Sequence, residues 1–375
     1  MKIGVLTLPL HTNYGGILQA YALQQVLKRM GHEAVLLDRR RFTEPVWYLR
    51  PLVYGKRIFC KFVLKKKLSV FYERDKTREI ENKQRNTLEF VRKHIDRQIF
   101  KNYKEIKEGT YDCLIAGSDQ VWRQRYAISM LGGVAHAYLD FAESWNVRRI
   151  AYAASFGTED WEYDDAETIR CKELAKLFSM ISVREESGVE LCRQHFGLDA
   201  QVTVDPTLLL TENDYTHLLD DKSQSMTKEG KIMVYMLDRT EEKEQFVNSM
   251  SKHLHLDTFI ANSDVDNRKL PQEKRVQPPV EEWLRGFKDA EYVITDSFHA
   301  CVFSIIFKKQ FVVLGNKERG MSRFESLLKR FGLEDRLMQT DNIPTDIPDI
   351  DYSTVEPKVE QLRQQSLDIL KNSFN

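Results

Sequence analysis

Five segments of the sequence place side chains that can bind anions or move protons directly after apolar runs. In VITDSFHACVFSIIF, the residues Asp296, Ser297 and His299 precede an apolar helix. Such a helix start favours an anion, because its first amides have no helical partner and its dipole is positive there. Histidine changes protonation near neutral pH, so His299 is a candidate for anion binding or proton transfer, against the alternative of a purely structural histidine.

Two further segments supply arginines that could contact the same anion. Arg184 follows the apolar run of ISVREESG, and Arg319 and Arg323 follow the strand predicted at 311–314. A guanidinium group can donate two parallel hydrogen bonds to one carboxylate or phosphate. The structural alternatives are an ion pair of Arg184 with Glu185 or another nearby acid, and local caps or pairs for the other two arginines.

The segment HTNYGGILQAYAL follows the first predicted strand and contains Asn13, Tyr14, Gly15 and Gly16. Two adjacent glycines let a loop backbone approach a ligand closely and expose the start of the helix that follows. We therefore take these four residues as candidates for ligand binding. An ordinary structural turn is the equally available interpretation.

The segment CLIAGSDQVW puts Ser118, Asp119, Gln120 and Trp122 at the end of another apolar strand. Aromatic rings stack on the apolar faces of sugars while carboxylates and amides bind hydroxyl groups, so this composition indicates a sugar site. A helix N-cap made by Ser118 or Asp119 is the competing interpretation.

The elements that position these residues alternate between apolar strands and amphipathic helices, the order of an α/β fold with parallel sheets. Strands are predicted at the following residue ranges: 3–8, 34–37, 113–116, 149–153, 180–183, 231–237, 257–260, 292–295 and 311–314. Ligands bind beyond the carboxyl ends of such strands, where all five segments lie. We expect an N-terminal domain at 1–210, a C-terminal domain at 228–350 and a helical tail at 351–375, with a polar linker at 211–230.

A lysine- and arginine-rich helical insertion is expected at about 42–108, including KRIFCKFVLKKKL. Charged runs usually form solvated helix faces, which is the first interpretation. The second is a peripheral contact with a membrane, in which Ile58, Phe59, Phe62 and Val63 enter the headgroup region and the lysines meet anionic lipid.

Composition narrows the class of protein. The 375 residues contain 56 basic and 56 acidic side chains, so no overall field favours nucleic acid as a partner. The five cysteines are scattered without metal-ligand spacing, which fits a reducing cytoplasm. The start MKIGVLTLPL reads as a strand and not as a signal peptide, and no stretch is apolar for the length of a membrane span.

The ordered set NYGGILQAYAL, GSDQVW, SVREESG with VDPTLL, TDSFHACVFSIIF and RGMSRFESLL resembles the polysaccharide pyruvyl transferase family over about residues 1–338. The resemblance implies two Rossmann-like domains in a GT-B-like arrangement with a central cleft. It implies phosphoenolpyruvate as a co-substrate bound mainly by the C-terminal domain, a sugar acceptor that is either soluble or lipid-linked, and no metal or nicotinamide cofactor.

In relatives the donor anion is met by an arginine of the VRE-type segment and by an Arg-Leu-His triplet, positions that correspond to Arg184 and to Ser297-Phe298-His299 here. Ser297 therefore departs from the family pattern. The loss of that arginine removes one charged donor, unless Arg323 or Arg319 replaces it.

The implied reaction adds a sugar hydroxyl to phosphoenolpyruvate, with His299 as phosphate ligand or general acid and Asp119 as the base that takes the acceptor proton. The acceptor is then expected to bind at Asn13, Tyr14, Gly15, Gly16, Ser118, Gln120 and Trp122. One alternative is a GT-B glycosyltransferase or nucleotide-sugar epimerase, which would need contacts for a base and a ribose. Another is a non-catalytic scaffold of polysaccharide assembly, which would be favoured if Arg184 and His299 pointed apart.

Overall fold

The first half of the chain folds into a seven-stranded parallel sheet. The computed structural model describes residues 1–40, 47–66, 68–219, 230–265, 267, 269–315, 321–338 and 347–375. The sheet has the order β3-β2-β1-β4-β5-β6-β7. Its strands are β1 Lys2–Leu6, β2 Glu33–Arg39, β3 Arg97–Phe100, β4 Cys113–Ala116, β5 Arg148–Ala154, β6 Met180–Val183 and β7 Gln201–Val202.

The second half forms a five-stranded parallel sheet with the order β12-β11-β10-β8-β9. Its strands are β8 Ile232–Tyr235, β9 Thr258–Ile260, β10 Tyr292–Thr295, β11 Gln310–Leu314 and β12 Leu337–Met338. The central strands β8 and β10 are buried along their whole length. Helices cover both faces of such a sheet, which is why these strands read as continuous apolar runs instead of alternating ones.

Helices connect the strands and cover the sheets. They are α1 Tyr14–Arg29, α2 Arg50–Phe62, α3 Tyr72–Lys83, α4 Arg85–His94, α5 Gln124–Tyr126, α6 Asp165–Ala175, α7 Glu186–Leu191, α8 Glu212–Thr216, α9 Glu241–Leu254, α10 Val280–Asp289, α11 Phe298–Ile306, α12 Ser322–Phe331 and α13 Tyr352–Asn372. Within the described ranges, none of these helices is both long and apolar enough to cross a bilayer.

Helix α1 begins at the loop that the sequence marks as a candidate site. The side chain of Asn13 caps it by accepting a hydrogen bond from the backbone N–H of Gly15. Past its end, Gly31 has φ +84°, a left-handed conformation that glycine adopts without steric cost. The cap and the glycine fix where the helix starts and stops, so the loop after β1 has a defined position.

The two α/β units pack through a shared apolar core. The Tyr14 hydroxyl donates to the carbonyl oxygen of Pro278 at 2.8 Å, and the Tyr14 ring stacks on Trp283 with the ring centres 5.1 Å apart. Helix α13 returns from the second unit to the first, where Ser366 accepts a hydrogen bond from the backbone N–H of Val204 at 3.0 Å. These contacts hold the carboxyl ends of both sheets against one cleft.

The expected α/β fold class is confirmed: two Rossmann-like domains with parallel sheets face a central cleft. Strands predicted at 113–116, 180–183 and 292–295 have those bounds. Strands β7 and β12 were not predicted, and three further differences concern the elements around the site. Helix α1 starts at Tyr14 because Asn13 caps it, β3 lies within the expected insertion as an edge strand of the first sheet, and α8 lies within the expected linker. Residues 220–229 of that linker lie outside the described residues.

The packing of Trp283 between the domains predicts a large loss of stability on truncation. Trp283→Ala should lower the free energy of unfolding by about 3–5 kcal/mol, because a buried indole leaves a cavity beside Tyr14 and Phe287. Urea denaturation followed by fluorescence and circular dichroism measures the change. Ile169→Ala, at a side chain that is 66% exposed, is the control and should stay within about 0.5 kcal/mol of wild type. Equal effects of the two substitutions would contradict this account of the interface.

Candidate active site

A cavity of about 170 Å³ lies where the carboxyl ends of the two sheets meet, and we call it the interdomain cavity. The first domain lines it with the loops after β1 and β4, and the second domain with the loops after β8 and β10 and with α12. Its lining residues are Leu8, Pro9, Leu10, His11, Asn13, Gly16, Asp119, Gln120, Tyr126, Met130, Leu237, Asp296, Ser297, Phe298, His299, Arg323 and Phe324.

The start of helix α11 forms one wall of the interdomain cavity. The Ser297 side chain caps this helix by accepting from the backbone N–H of Ala300, and the Ser297 N–H donates to the Thr295 hydroxyl. The first turn of α11 contains Phe298 and His299, and both line the cavity together with Ser297. This wall has the positive end of a helix dipole, which favours an anion.

Asp296 holds the neighbouring loop in place. Its carboxylate accepts from the backbone N–H groups of Leu237 at 2.6 Å and Asp238 at 3.0 Å, and it pairs with the Lys243 ammonium at 2.6 Å. The carboxylate is fully enclosed. Its role is therefore to join the loop after β8 to the end of β10, so that both line the cavity together.

A glycine of the first domain makes room for the histidine of the second. A Cβ atom placed on Gly15 would lie 2.1 Å from Cγ of His299, well inside the contact distance of two carbon atoms. The adjacent Gly16 has more space, since its nearest neighbours would lie 3.5 Å away or farther. Gly15 is thus required for the approach of α11 to α1, whereas Gly16 borders the cavity beside Asp119.

Behind the cavity, the carboxylate of Asp205 joins the arginine and the histidine that the sequence singles out. Oδ2 of Asp205 lies 2.6 Å from Nη1 of Arg184 and 3.5 Å from Nε2 of His299. Oδ1 accepts from the backbone N–H and the hydroxyl of Thr207. Arg184 also reaches Asp119, with Nη2 3.3 Å from Oδ1. Asp205, Arg184, Asp119 and His299 form one buried network that spans both domains.

The network keeps its two carboxylates ionised. Burial by itself raises the pKa of Asp205, but His299 and Arg184 beside it outweigh burial and hold that pKa well below its usual range. The pKa of Asp119 is lowered in the same way, with burial opposed by the charges of Arg184, His299 and Arg323. Both groups are therefore anionic acceptors of hydrogen bonds over the physiological pH range.

Arg323 brings a second guanidinium to the site. Its central carbon lies 5.4 Å from the centre of the Phe298 ring, and that of Arg184 lies 4.9 Å from the same ring. Burial, followed by the positive charge of Arg184, lowers the pKa of Arg323 to about 10, so the side chain stays charged at neutral pH. An anion in the cavity would relieve both effects.

Comparison with known proteins decides the family. The family model described as polysaccharide pyruvyl transferase matches residues 13–318, a range that includes cavity-lining residues of both domains, among them Asp119 and His299. The chain belongs to the polysaccharide pyruvyl transferase family. Comparison with curated protein sequences gives no significant match.

Solved structures of sugar-nucleotide enzymes resemble this family member over nearly its full length. UDP-GlcNAc 2-epimerase from Neisseria meningitidis bound to UDP-GlcNAc has a TM-score of 0.47 at 9% identity and covers 99% of each chain. A putative UDP-N-acetylglucosamine 2-epimerase from Listeria monocytogenes has a TM-score of 0.48 at 10% identity, covering 99% of this chain and 88% of the other. At TM-scores below 0.5 these likenesses carry no inference about the ligand.

The structure of this pyruvyl transferase family member brings together most of the residues expected from the sequence. Those that line the interdomain cavity are Asn13, Gly16, Asp119, Gln120, Ser297, His299 and Arg323. Gly15 packs against His299 at its edge. Arg319 lies outside the described residues. Arg323 thus enters the cavity next to Ser297, the position at which the chain departs from the family pattern.

Three residues expected to bind acceptor are instead packed in the protein interior. Trp122 is fully buried, stacks on Tyr138 with ring centres 4.8 Å apart and donates its indole N–H to a carbonyl. The Ser118 hydroxyl donates to the carbonyl oxygen of Ala153. Tyr14 is committed to the domain interface. An aromatic residue after a strand can serve a sugar or a core equally well, and only the tertiary packing decides.

Arg184 also differs from its expected role as a direct clamp on the donor. It is buried beneath the cavity lining, and its guanidinium is held by Asp205 and Asp119. The expected alternative partner, Glu185, instead accepts hydrogen bonds from Ser155 and from the backbone N–H of Phe156. Arg184 therefore holds the Asp119 carboxylate in position from the side that faces away from the cavity.

Two functional positions were missed by inspection of strand ends. Asp205 organises the network, and the signal for it was present in the Asp205-Pro206-Thr207 triplet, where an acid precedes a proline at the start of a helical turn. Lys243 pairs with Asp296 across 53 residues of sequence, and no local pattern marks that pair.

The space around Gly15 predicts a sharp contrast between neighbouring substitutions. Gly15→Ala should displace His299 and lower activity by at least about 100-fold, the scale of losing a positioned acid or base. Gly16→Ala should fold with equal or higher stability, because its Cβ meets only ordinary contacts and alanine favours the helix. Melting temperature and activity measured on both variants test this. Similar behaviour of the two would show that the contact with His299 is not constraining.

The depressed pKa of Asp205 predicts a pH-dependent contribution to stability. Asp205→Asn should lower the free energy of unfolding by about 3 kcal/mol or more at pH 7, because it leaves Arg184 buried beside one carboxylate instead of two. The carboxylate stabilises the fold above its unfolded pKa, and the gain is lost as pH falls, so the gap from wild type should shrink below about pH 5. Denaturation of both proteins across pH measures the gap.

Asp160→Asn, at an exposed aspartate without an ion pair in the described structure, is the matched control and should change stability by less than about 0.5 kcal/mol. A gap for Asp205→Asn that stays constant down to pH 3 would overturn the assignment.

Proposed function

We propose that this protein transfers a pyruvate ketal from phosphoenolpyruvate to a sugar of a cell-surface glycan, such as a capsule or exopolysaccharide, or of its precursor. The observation that supports this most directly is the composition of the interdomain cavity. One wall carries an anion site, made of the start of α11, His299 and Arg323, and the facing wall carries Asp119 and Gln120. An anionic donor and a hydroxylic acceptor would therefore meet in one place.

The anion site suits a small donor with a phosphate and a carboxylate. Arg323 supplies a guanidinium where Ser297 provides none, and it does so from α12 on the same side of the cavity. The described cavity, at about 170 Å³, is smaller than the roughly 300–1,000 Å³ pockets that enclose drug-sized ligands. This size favours phosphoenolpyruvate over a nucleotide sugar within the closed site.

The reaction can be written with these groups. One acceptor hydroxyl adds its oxygen to the central carbon of phosphoenolpyruvate while the methylene carbon takes a proton and becomes a methyl group. The oxygen of a second acceptor hydroxyl then displaces the phosphate, which leaves as inorganic phosphate carrying the proton of that hydroxyl, and the ketal ring closes. We assign the proton donated to carbon to His299 and the proton taken from the first hydroxyl to Asp119, with Arg323 bound to the departing phosphate.

The network behind the cavity argues against a purely structural protein. A scaffold without catalysis would be favoured if Arg184 and His299 pointed apart, but both approach the same oxygen of Asp205. Burying an arginine with two carboxylates is costly, and we infer that this arrangement serves to position a histidine and a carboxylate at the cavity wall.

Binding of the donor can be tested by thermal stabilisation, since a ligand of the native state raises the melting temperature. Phosphoenolpyruvate should stabilise the wild-type protein, and Arg323→Ala and His299→Ala should each abolish the shift, because each removes a side chain that we assign to the anion site. Arg193→Ala, at an exposed arginine of the first domain, is the control and should keep the full shift.

A panel of nucleotide sugars completes that experiment. Stabilisation by a nucleotide sugar instead of phosphoenolpyruvate would move the protein to glycosyl transfer or epimerisation. A phosphoenolpyruvate shift that survives in both site variants would contradict the site, and the absence of a shift with any ligand would favour the scaffold.

We further propose that the protein works in the cytoplasm, at the inner face of the membrane. Helix α2 buries none of its residues, and Leu52, Phe59 and Phe62 are 73%, 54% and 70% exposed. Lysines and arginines lie between them along the same helix, as expected of a helix that rests on anionic lipid. All five cysteines are free, which fits a reducing compartment.

Flotation with phosphatidylglycerol vesicles tests this contact. The wild-type protein should float at low salt and less at high salt, because charge screening weakens attraction to the lipid. Phe59→Ala with Phe62→Ala should abolish flotation, while the control Ile169→Ala with Leu177→Ala, on exposed apolar residues elsewhere, should not. Wild-type protein that stays unbound at low salt would dismiss the membrane contact.

A further inference from the structure

A second and much larger cavity lies beside the interdomain cavity, and we call it the basic groove. It has a volume of about 1380 Å³ and is bounded by the start of α2, by α3 and α4, and by the ends of β1, β2 and β3. Ten of its lining residues are lysine or arginine, whereas only Asp38 and Glu81 are acidic. The chain as a whole is neutral, so this concentration of positive charge is a local feature.

Part of this charge is neutralised inside the protein and part is not. Arg97 pairs with Asp38 at 2.6 Å, and Lys76 and Lys83 share Glu79 at 2.9 and 3.3 Å. Four further cations come from four separate segments and form no ion pair with a described carboxylate: Arg40 after β2, Arg78 in α3, Arg92 in α4 and Lys101 after β3. Cations gathered from separate elements around one concavity attract a polyanion.

The basic groove and the interdomain cavity share a wall. Pro9, Leu10 and His11, in the loop after β1, line both of them. A ligand bound in the groove therefore lies one loop away from His299 and Asp119. Trp47 and Arg50, at the start of the exposed helix α2, line the opposite end of the groove.

We propose that the basic groove binds the phosphate-bearing part of the acceptor, so that the acceptor is a phosphorylated glycan whose sugar end enters the interdomain cavity. This inference rests on the proposed function for the identity of the acceptor, and on the groove itself for the anion site. The groove volume exceeds the roughly 300–1,000 Å³ of ordinary small-ligand pockets, which fits a ligand larger than the donor. The phosphate belongs either to a lipid headgroup or to a soluble glycan phosphate.

Inorganic pyrophosphate is the probe, titrated into the full-length protein by calorimetry. Arg78→Ala with Arg92→Ala should weaken its binding at least about tenfold, because each arginine removed takes away a charge-assisted hydrogen bond. The control Arg193→Ala with Lys176→Ala removes two exposed cations far from the groove and should bind like wild type. Equal affinity in all three proteins, or no binding at all, would overturn the inference.

Phosphoenolpyruvate-induced stabilisation measured on the same variants separates this proposal from the donor assignment. A groove variant that loses pyrophosphate but keeps the phosphoenolpyruvate shift supports both. A second outcome is that the groove variant loses pyrophosphate binding while phosphoenolpyruvate fails to stabilise even the wild-type protein. That outcome would support the groove as an anion site and contradict the proposed transfer of a ketal from phosphoenolpyruvate.

Competition distinguishes the two sources of phosphate. Displacement of pyrophosphate by phosphatidylglycerol vesicles would assign the groove to a lipid-borne phosphate at the membrane beside α2. Displacement by glucose 1-phosphate but not by vesicles would assign it to a soluble glycan phosphate. Failure of both competitors to displace pyrophosphate would overturn the assignment of the groove to the acceptor.

Discussion

The buried carboxylate of Asp205 is the group on which the arrangement of the site depends. It lies on the helical turn after β7, where Thr207 fixes one of its oxygens and leaves the other to Arg184 and His299. Arg184 belongs to the first domain and His299 to the second, so one carboxylate oxygen of Asp205 contacts side chains from both sides of the cleft. Buried ion pairs add little to stability on balance, and this one is better understood as a device for positioning.

The parts of the fold that follow from local sequence were predictable. Strands buried on both faces read as short apolar runs, which is why β4, β6 and β10 could be placed at their bounds. The edge strand β3 was missed because RQIF, with burial on one residue only, has no such run. Parallel strands bring their carboxyl ends to one edge of the sheet, so the residues that follow predicted strands were expected to line the site. This expectation identified Asp119, Gln120, His299 and Arg323, which all line the interdomain cavity.

What the sequence could not predict depends on contacts between distant segments. Trp122 and Tyr14 have the right chemistry for a sugar, but neighbours that are distant in sequence bury them. Whether Arg184 faces the ligand or lies behind it depends on Asp205, 21 residues away, and on Asp119, 65 residues away. The net charge of the whole chain is zero, so the composition gives no indication of the excess of cations around the basic groove.

The contact between Gly15 and His299 ties two positions in different domains to each other over evolutionary time. No side chain fits at position 15 while an imidazole occupies position 299, because even a methyl group would overlap the ring. Relatives that keep the histidine should therefore keep the glycine. Relatives that have lost the histidine are released from this constraint, so a larger residue at position 15 would mark members of the family that no longer carry out this chemistry.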